Sequence, residues 1–217
     1  GLQVSLFERL VKNGRDVAFL DTQYRMHPSL SEFSSIEFYD GRLKSASVQR
    51  TIPKGFPWPV QSYPLCFVDL EDSQETRMEN MSLQNEQEAD LIVKIVQKFD
   101  RQYNITIITP YRAQKYVIQQ KLGRTNQQLG RLIDVNTVDG FQGNESDIVI
   151  FSAVRCNQKQ TIGFLKDKSR LNVLLTRAKS GLVVVGNFNT LYQETLWKRW
   201  LQHVVEKNKS FIKATAI

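Results

Sequence analysis

Two cysteines and two histidines are all that this 217-residue chain offers a soft metal. Cys66, Cys156, His27 and His203 are scattered and no CxxC occurs. That spacing excludes a Cys/His zinc site and a disulfide framework, and it makes a reducing compartment the expected setting. No apolar run approaches the roughly 18–20 residues of a membrane span. The opening GLQVSLFERL also lacks the basic-then-apolar layout of a signal peptide. The expectation is therefore an intracellular chain, cytoplasmic or nuclear, with no membrane partner. Internal repeats and low-complexity tracts are absent too. With 41% hydrophobic and 24% charged residues, disorder, collagen and simple coiled coil are excluded. Finally, there is no GxxxxGKS/T phosphate loop. The nearest approach, GFLKDKS (163–169), has Asp167 where a second glycine must let the backbone come close. The chain by itself cannot cradle a triphosphate in that way.

What is present begins with charge. The net charge is +7, but residues 1–108 carry 12 basic and 15 acidic groups (−3) while residues 109–217 carry 17 and 7 (+10). Either a polyanion docks on the second half or that half is a solvated basic face. Eight acidic residues crowd between Asp69 and Asp90 around the single Arg77. This stretch is too polar for a core element and reads as an exposed loop running into a helix start.

The length suits one large domain or one domain with an appendage. Apolar spacing predicts a helix from Val4 to Lys12, stopped by Asn13-Gly14, and a short strand at VAFL (17–20). Pro28 starts a second helix that ends near Asp40-Gly41, and the four prolines of residues 51–64 mark a loop. LCFVDL is a strand, and a helix follows from about Asn85 to Phe99. ITIITP, LIDVNT, DIVIFSAV and LVVVGN are β-branched strands separated by helical stretches, including YRAQKYVIQQKL and one over residues 168–179. A last helix is expected from Thr190 to Lys207. Continuous Val and Ile strands alternating with helices predict an α/β, doubly wound, mainly parallel sheet covered on both faces.

Such sheets place ligand groups at strand carboxyl ends. DTQYRMHP, TPYRAQ and NTVDGFQGNES follow apolar runs, and the helix of residues 168–179 carries LNVLLTRAK. Arg25 and Arg177 could each grip phosphate oxygens through a planar guanidinium or pair structurally with a carboxylate. Tyr24 offers a flat face for a base or for the core. Gly140 and Gly143 bracket Phe141-Gln142 in a turn suited to positive φ, either an anion-facing nest or a plain tight connection. Thr109, Pro110, Tyr111 and Thr137 sit at strand ends. Asp69 reads as a strand-end acid, His27 as a structural histidine, and no metal site is expected.

QYRMHP with SEF and FYDGRL behind it, ITPYRAQ, VNTVDGFQGNESDIVI and GFLKDKSRLNVLLTRAK, in that order, resemble the motif series of superfamily 1B helicases, in the up-frameshift and senataxin branch. The opening LFERLV and the GFPWP loop share the likeness, which covers nearly the whole chain. The resemblance implies a second RecA-like motor domain over residues 17–217, with residues 1–16 the connector or tail of a preceding motor domain. It implies ATP with Mg²⁺, both held mainly by that preceding domain, and 5′ to 3′ travel on single-stranded RNA or DNA. Arg25 and Arg177 become arginine fingers and Gln142 the γ-phosphate sensor, so these three are catalytic. Gln23, Tyr24, Gly143 and Glu145 join the arginines around the nucleotide, and Thr109, Pro110, Tyr111, Thr137, Val138 and Asn172 line the nucleic-acid groove. Protein regulators are further possible partners. The competing reading is a clamp that holds nucleic acid or protein without turnover.

Overall fold

A computed structural model describes residues 6–79, 81–129 and 133–217. Val4 of the expected first helix and Leu132 of the expected LIDVNT strand lie outside the described residues. Helix α1 (Leu6–Lys12) leads to the short strand β1 (Thr22–Gln23), then α2 (Pro28–Tyr39) and β2 (Lys44–Ser45). After the proline-rich loop come β3 (Leu65–Asp69), the hairpin β4 (Thr76–Arg77) and β5 (Leu83–Gln84), and α3 (Glu86–Lys98). Next are β6 (Ile105–Thr109), α4 (Arg112–Leu129), β7 (Asp134–Thr137), β8 (Ser146–Ser152), α5 (Lys168–Leu175) and β9 (Ala178–Gly186). Helices α6 (Phe188–Leu191) and α7 (Thr195–Leu201), a π-helical turn (Gln202–Lys207) and β10 (Phe211–Lys213) follow.

Six of these strands form one parallel sheet in the order β10-β3-β9-β8-β6-β7. Side chains alternate across a strand, so each strand feeds two cores. Phe67, Val149, Phe151, Leu182 and Val184 point to the face covered by α2, α5 and α7. Cys66, Val68, Ile148, Ile150, Val183 and Val185 point to the face covered by α3 and α4. Burying each such Val, Ile or Phe contributes roughly 1.5–3 kcal/mol, which is why polar residues are scarce in the strands. Trp197 and Trp200 close the first core, with the Trp197 indole donating to the Leu165 carbonyl at 2.9 Å.

Several local expectations are corrected. VAFL is not a strand: Val17 and Leu20 are exposed, and the short strand forms at Thr22–Gln23 instead. The helix expected through residue 179 stops at Leu175, because the Thr176 hydroxyl donates to the Asn172 and Val173 carbonyls and the chain is already sheet at Ala178. Arg177 therefore lies in the turn. The last helix is broken at Tyr192, and β10 adds an edge strand beside β3. The acidic stretch is not all exposed loop, for Asn85 and Glu88 are buried and β4 pairs with β5.

Strand order decides where the motifs fall. Because β6 lies between β7 and β8 and all three are parallel, residues 138–145 must run from the carboxyl end of β7 to the amino end of β8. Phe141, buried in the core with Leu171 and Trp197, pins this crossing to one face. A bidentate pair from Arg170 to Asp139, at 3.0 and 3.1 Å, ties the crossing to the start of α5.

Candidate functional site

Sequence reasoning expects the ligand groups at strand carboxyl ends, and the structure divides them between the two ends. At the amino ends of β8 and β9, Gln23, Tyr24, Arg25, Glu145 and Arg177 meet around an open cavity of about 550 Å³. Gln23 builds the local turn: its Oε1 accepts from the Arg25 and Met26 amides at 3.0 and 2.8 Å, and its Nε2 donates to the Met26 carbonyl at 3.0 Å. His27 caps α2, accepting from the Ser29 amide through Nδ1 at 3.2 Å, and burial lowers its pKa; the structural role expected for it fits.

The Arg25 Nε donates to Glu145 Oε2 at 2.5 Å and its Nη1 to the Thr176 carbonyl at 2.9 Å. Glu145 also receives Lys179 at 3.1 Å, and these two donors hold its carboxyl below the usual range. Arg177 donates from Nε to the Val173 carbonyl at 2.9 Å, from Nη2 to the Thr176 hydroxyl at 2.9 Å and from Nη1 to the Asn144 carbonyl at 3.3 Å. Burial, and then the charge of Arg25, lower the pKa of Arg177. Tyr24 projects into solvent at 68% exposure, which removes core packing as its role.

Gln142 and Gly143 belong to the crossing segment but do not line this cavity; the Gln142 side chain is exposed. Gly143 has φ +89°, the left-handed backbone that its residue type suggests, whereas Gly140 does not and instead donates its amide to the Thr137 hydroxyl at 3.2 Å. Sequence reasoning missed two residues here: Lys179, which pairs with Glu145 but does not line the cavity, and Arg50, which does. Lys179 stands in the quoted TRAK, so its motif was visible. Arg50 carries no motif signal, yet it donates to the Arg25 and Tyr24 carbonyls at 2.9 and 3.4 Å.

At the opposite, carboxyl end, Pro110, Thr137 and Val138 line a smaller cavity of about 110 Å³ with Asp139, Phe164 and Arg170. Thr109 is fully buried beside them and its hydroxyl has no hydrogen-bond partner among the described residues. Tyr111 is buried, with its hydroxyl accepting from Arg155 Nη1 at 3.3 Å. Asn172 stands apart from this set: its amide donates to the Tyr39 hydroxyl at 3.1 Å, and Tyr39 lines the arginine cavity. Asp69 accepts from the Phe188 amide at 2.9 Å and so holds the start of α6, a structural task. Among the described residues no three His, Cys, Asp or Glu side chains converge as metal ligands, and no helix is long and apolar enough to cross a membrane.

With this geometry in hand, the AAA domain family matches residues 2–189. The chain is 43% identical to regulator of nonsense transcripts 1 of Dictyostelium discoideum, over 96% of this chain and 16% of that protein. It is also 43% identical to ATP-dependent helicase NAM7 of Saccharomyces cerevisiae, over 95% of this chain and 22% of that one. To probable helicase MAGATAMA 3 of Arabidopsis thaliana the identity is 36%, over 97% and 27%. The chain thus spans between a sixth and about a quarter of the length of these relatives.

Proposed function

Since the chain belongs to the AAA domain family, among the up-frameshift-like superfamily 1 helicases, we propose that residues 17–217 are the second RecA-like motor of an ATP-dependent helicase moving 5′ to 3′ on single-stranded RNA or DNA. The carrying observation is the convergence of Arg25 and Arg177 on one open cavity below an exposed Tyr24. The charged side chains that line this cavity, Arg25, Arg50 and Arg177 against Glu145, leave a net charge of +2 there. Two neighbouring guanidiniums are stabilised by an anion with several oxygens, and a phosphate chain fits.

When bound, ATP supplies the phosphoryl group whose transfer to water drives the cycle. Tyr24 offers its ring to the base, and Arg25 and Arg177 neutralise charge as it builds on the phosphate oxygens. Arg25 must exchange Glu145 for phosphate to do so, which makes Glu145 the group that parks it. A preceding motor domain holds the Mg²⁺ and the phosphate loop that this sequence lacks. Residues 1–16 are read as the connector to that domain or its tail, a reading supported by Leu6, Phe7, Leu10 and Val11 of α1, all exposed with no buried neighbour on the helix. Thr109, Pro110, Tyr111, Thr137 and Val138 form this motor's share of the nucleic-acid groove. Gln142, on the crossing between the two ends, is assigned the γ-phosphate response.

The test is Arg177→Ala in the full-length protein. Nucleic-acid-stimulated ATPase should fall by about 10³ to 10⁵, the usual worth of an arginine finger, with nucleotide-free affinity for single strands unchanged. Arg177→Lys should rescue little, since a point charge lacks the planar fork. A variant that unfolds like wild type, keeps its ATPase and loses nucleic-acid binding refutes the assignment. A clamp without turnover instead leaves Arg25 on Glu145 throughout, and Arg25→Ala then changes no ATPase.

A further inference from the structure

A further open cavity, of about 800 Å³, lies at neither of these places. It opens between the hairpin segment 73–77 and the loop 155–161, at the carboxyl ends of β3, β8 and β9. Its floor is one ion-pair network. Glu75 Oε2 accepts from Arg155 Nε at 2.8 Å, the Cys156 amide at 2.9 Å and Asn157 Nδ2 at 3.0 Å. Arg155 is only 6% exposed and reaches out of the cleft to the Tyr111 hydroxyl, so the floor is joined to the end of β6. The approach is close: a Cβ on Gly163, whose φ is +55°, would sit 2.5 Å from Arg155 Nη1 and 3.3 Å from the Tyr111 oxygen. Leaving β8, the chain turns sharply into the cleft at Val154, which is held at φ +70° by two 3.0 Å contacts from its amide to the Glu88 carboxylate.

The rim has a consistent chemistry. Arg77 and Lys159 are exposed and form no ion pair among the described residues, and Gln74, Gln158 and Asn189 stand beside them. Arg77, Arg155 and Lys159 against Glu75 give a net charge of +2. No aliphatic or aromatic side chain is among the described lining residues. Pockets for small organic ligands are mostly apolar, apolar peptide segments need apolar anchors, and stacked bases need aromatic rings. None of these is offered. What the lining suits is an extended, hydrophilic polyanion bound through its backbone.

Resting on the motor-domain reading, we propose that this cleft is a further subsite for single-stranded nucleic acid, holding the sugar-phosphate backbone beyond the Thr109–Tyr111 strand end through Arg77 and Lys159. Its bases are left unread. The contact adds affinity only to strands long enough to reach from the groove into the cleft.

The experiment uses full-length protein carrying Arg77→Ala with Lys159→Ala, beside a charge-matched control, Lys94→Ala with Lys98→Ala on the exposed face of α3. Labelled oligouridylates and oligothymidylates of stepped length are titrated at several salt concentrations. The cleft pair should lose about tenfold in affinity for the longest strands and nothing for the shortest. Its slope of log affinity against log salt should flatten by about 1.4, from two lost contacts to a single strand. The control pair should show neither effect. Equal losses at every length, equal losses in the control, or no loss at all would overturn the subsite; the last is also the result if the cleft serves an acidic peptide. Wild-type protein that binds none of the strands would overturn the motor-domain reading itself, and the subsite with it.

Discussion

Replacing Glu88 by Gln exchanges a buried carboxylate for a neutral side chain of the same shape. Glu88 is 1% exposed. Burial pushes its pKa up to about 7, although the Ser152 hydroxyl at 2.6 Å and the Val154 amide both donate to the ionised form. The folded protein therefore holds this proton more tightly than the unfolded chain, where a glutamate titrates near 4.5. Stability is highest while the group is protonated in both states. It falls as pH rises from about 4.5, and the loss is complete above about 7. At ~1.4 kcal/mol for each pH unit across that window, the loss totals about 3 kcal/mol.

The Gln variant has no such proton, so the stability difference between wild type and Glu88→Gln should drift by about 3 kcal/mol in favour of the variant between pH 4.5 and 7.5. Any constant offset reports the altered hydrogen bonds to Ser152 and Val154, and only the drift reports the proton. Urea unfolding of both proteins at half-unit pH steps measures it. A difference flat to within about 0.5 kcal/mol, roughly what such extrapolations resolve, would show that Glu88 titrates normally and that the polar pocket around it is wetter than its burial implies.

Other outcomes follow from single contacts. Glu75→Ala removes the carboxylate paired with Arg155, whose side chain is 8% exposed and keeps its hydrogen bonds to Tyr111 and Thr161, and should cost about 1.5–3 kcal/mol in denaturant unfolding. Thr109→Val removes a buried hydroxyl that has no partner among the described residues; stability should stay within about 1 kcal/mol, while single-strand binding by the full-length protein drops severalfold. Gly143→Ala meets open space but keeps φ at +89°, so thermal unfolding should show only the backbone cost, about 1–2 kcal/mol. The pairing of Glu145 with Arg25 and Lys179 lowers its pKa. Its contribution is present above the unfolded pKa and lost as pH falls through the folded one, and because the carboxylate is 41% exposed, Glu145→Gln should change stability by under about 1 kcal/mol.

The sequence was informative wherever structure is local. Pro28 opens α2 and Asp40, in left-handed backbone, closes it; Asn85 caps α3; and unbroken Val and Ile runs become strands buried on both faces. Expectations failed where a partner distant in sequence decides. VAFL has strand composition but finds no sheet to bury it, so Leu20 is left 86% exposed. Glu88 reads as one more surface acid until Ser152 and Val154, at the end of a strand beyond α4 in sequence, enclose it. No periodicity could show that β9 claims Ala178 and so ends α5 early.

Strand order accounts for the largest of these differences and also for the unity of the site. The motif residues were visible in the sequence, but their grouping was not, because strand order, which sequence does not show, sends the motifs to both ends of the sheet. The VDGFQGNE segment instead begins beside Thr137 at a carboxyl end and finishes with Glu145 at an amino end, after crossing the sheet face under Phe141 and Asp139. Glu145 there holds Arg25, and the Asn144 carbonyl receives Arg177. One short covalent segment thus touches both arginines and both ends of the sheet. Between those ends the segment is anchored by Phe141, which is buried in the core. Gln142, which lines neither cavity, stands on this same connecting segment.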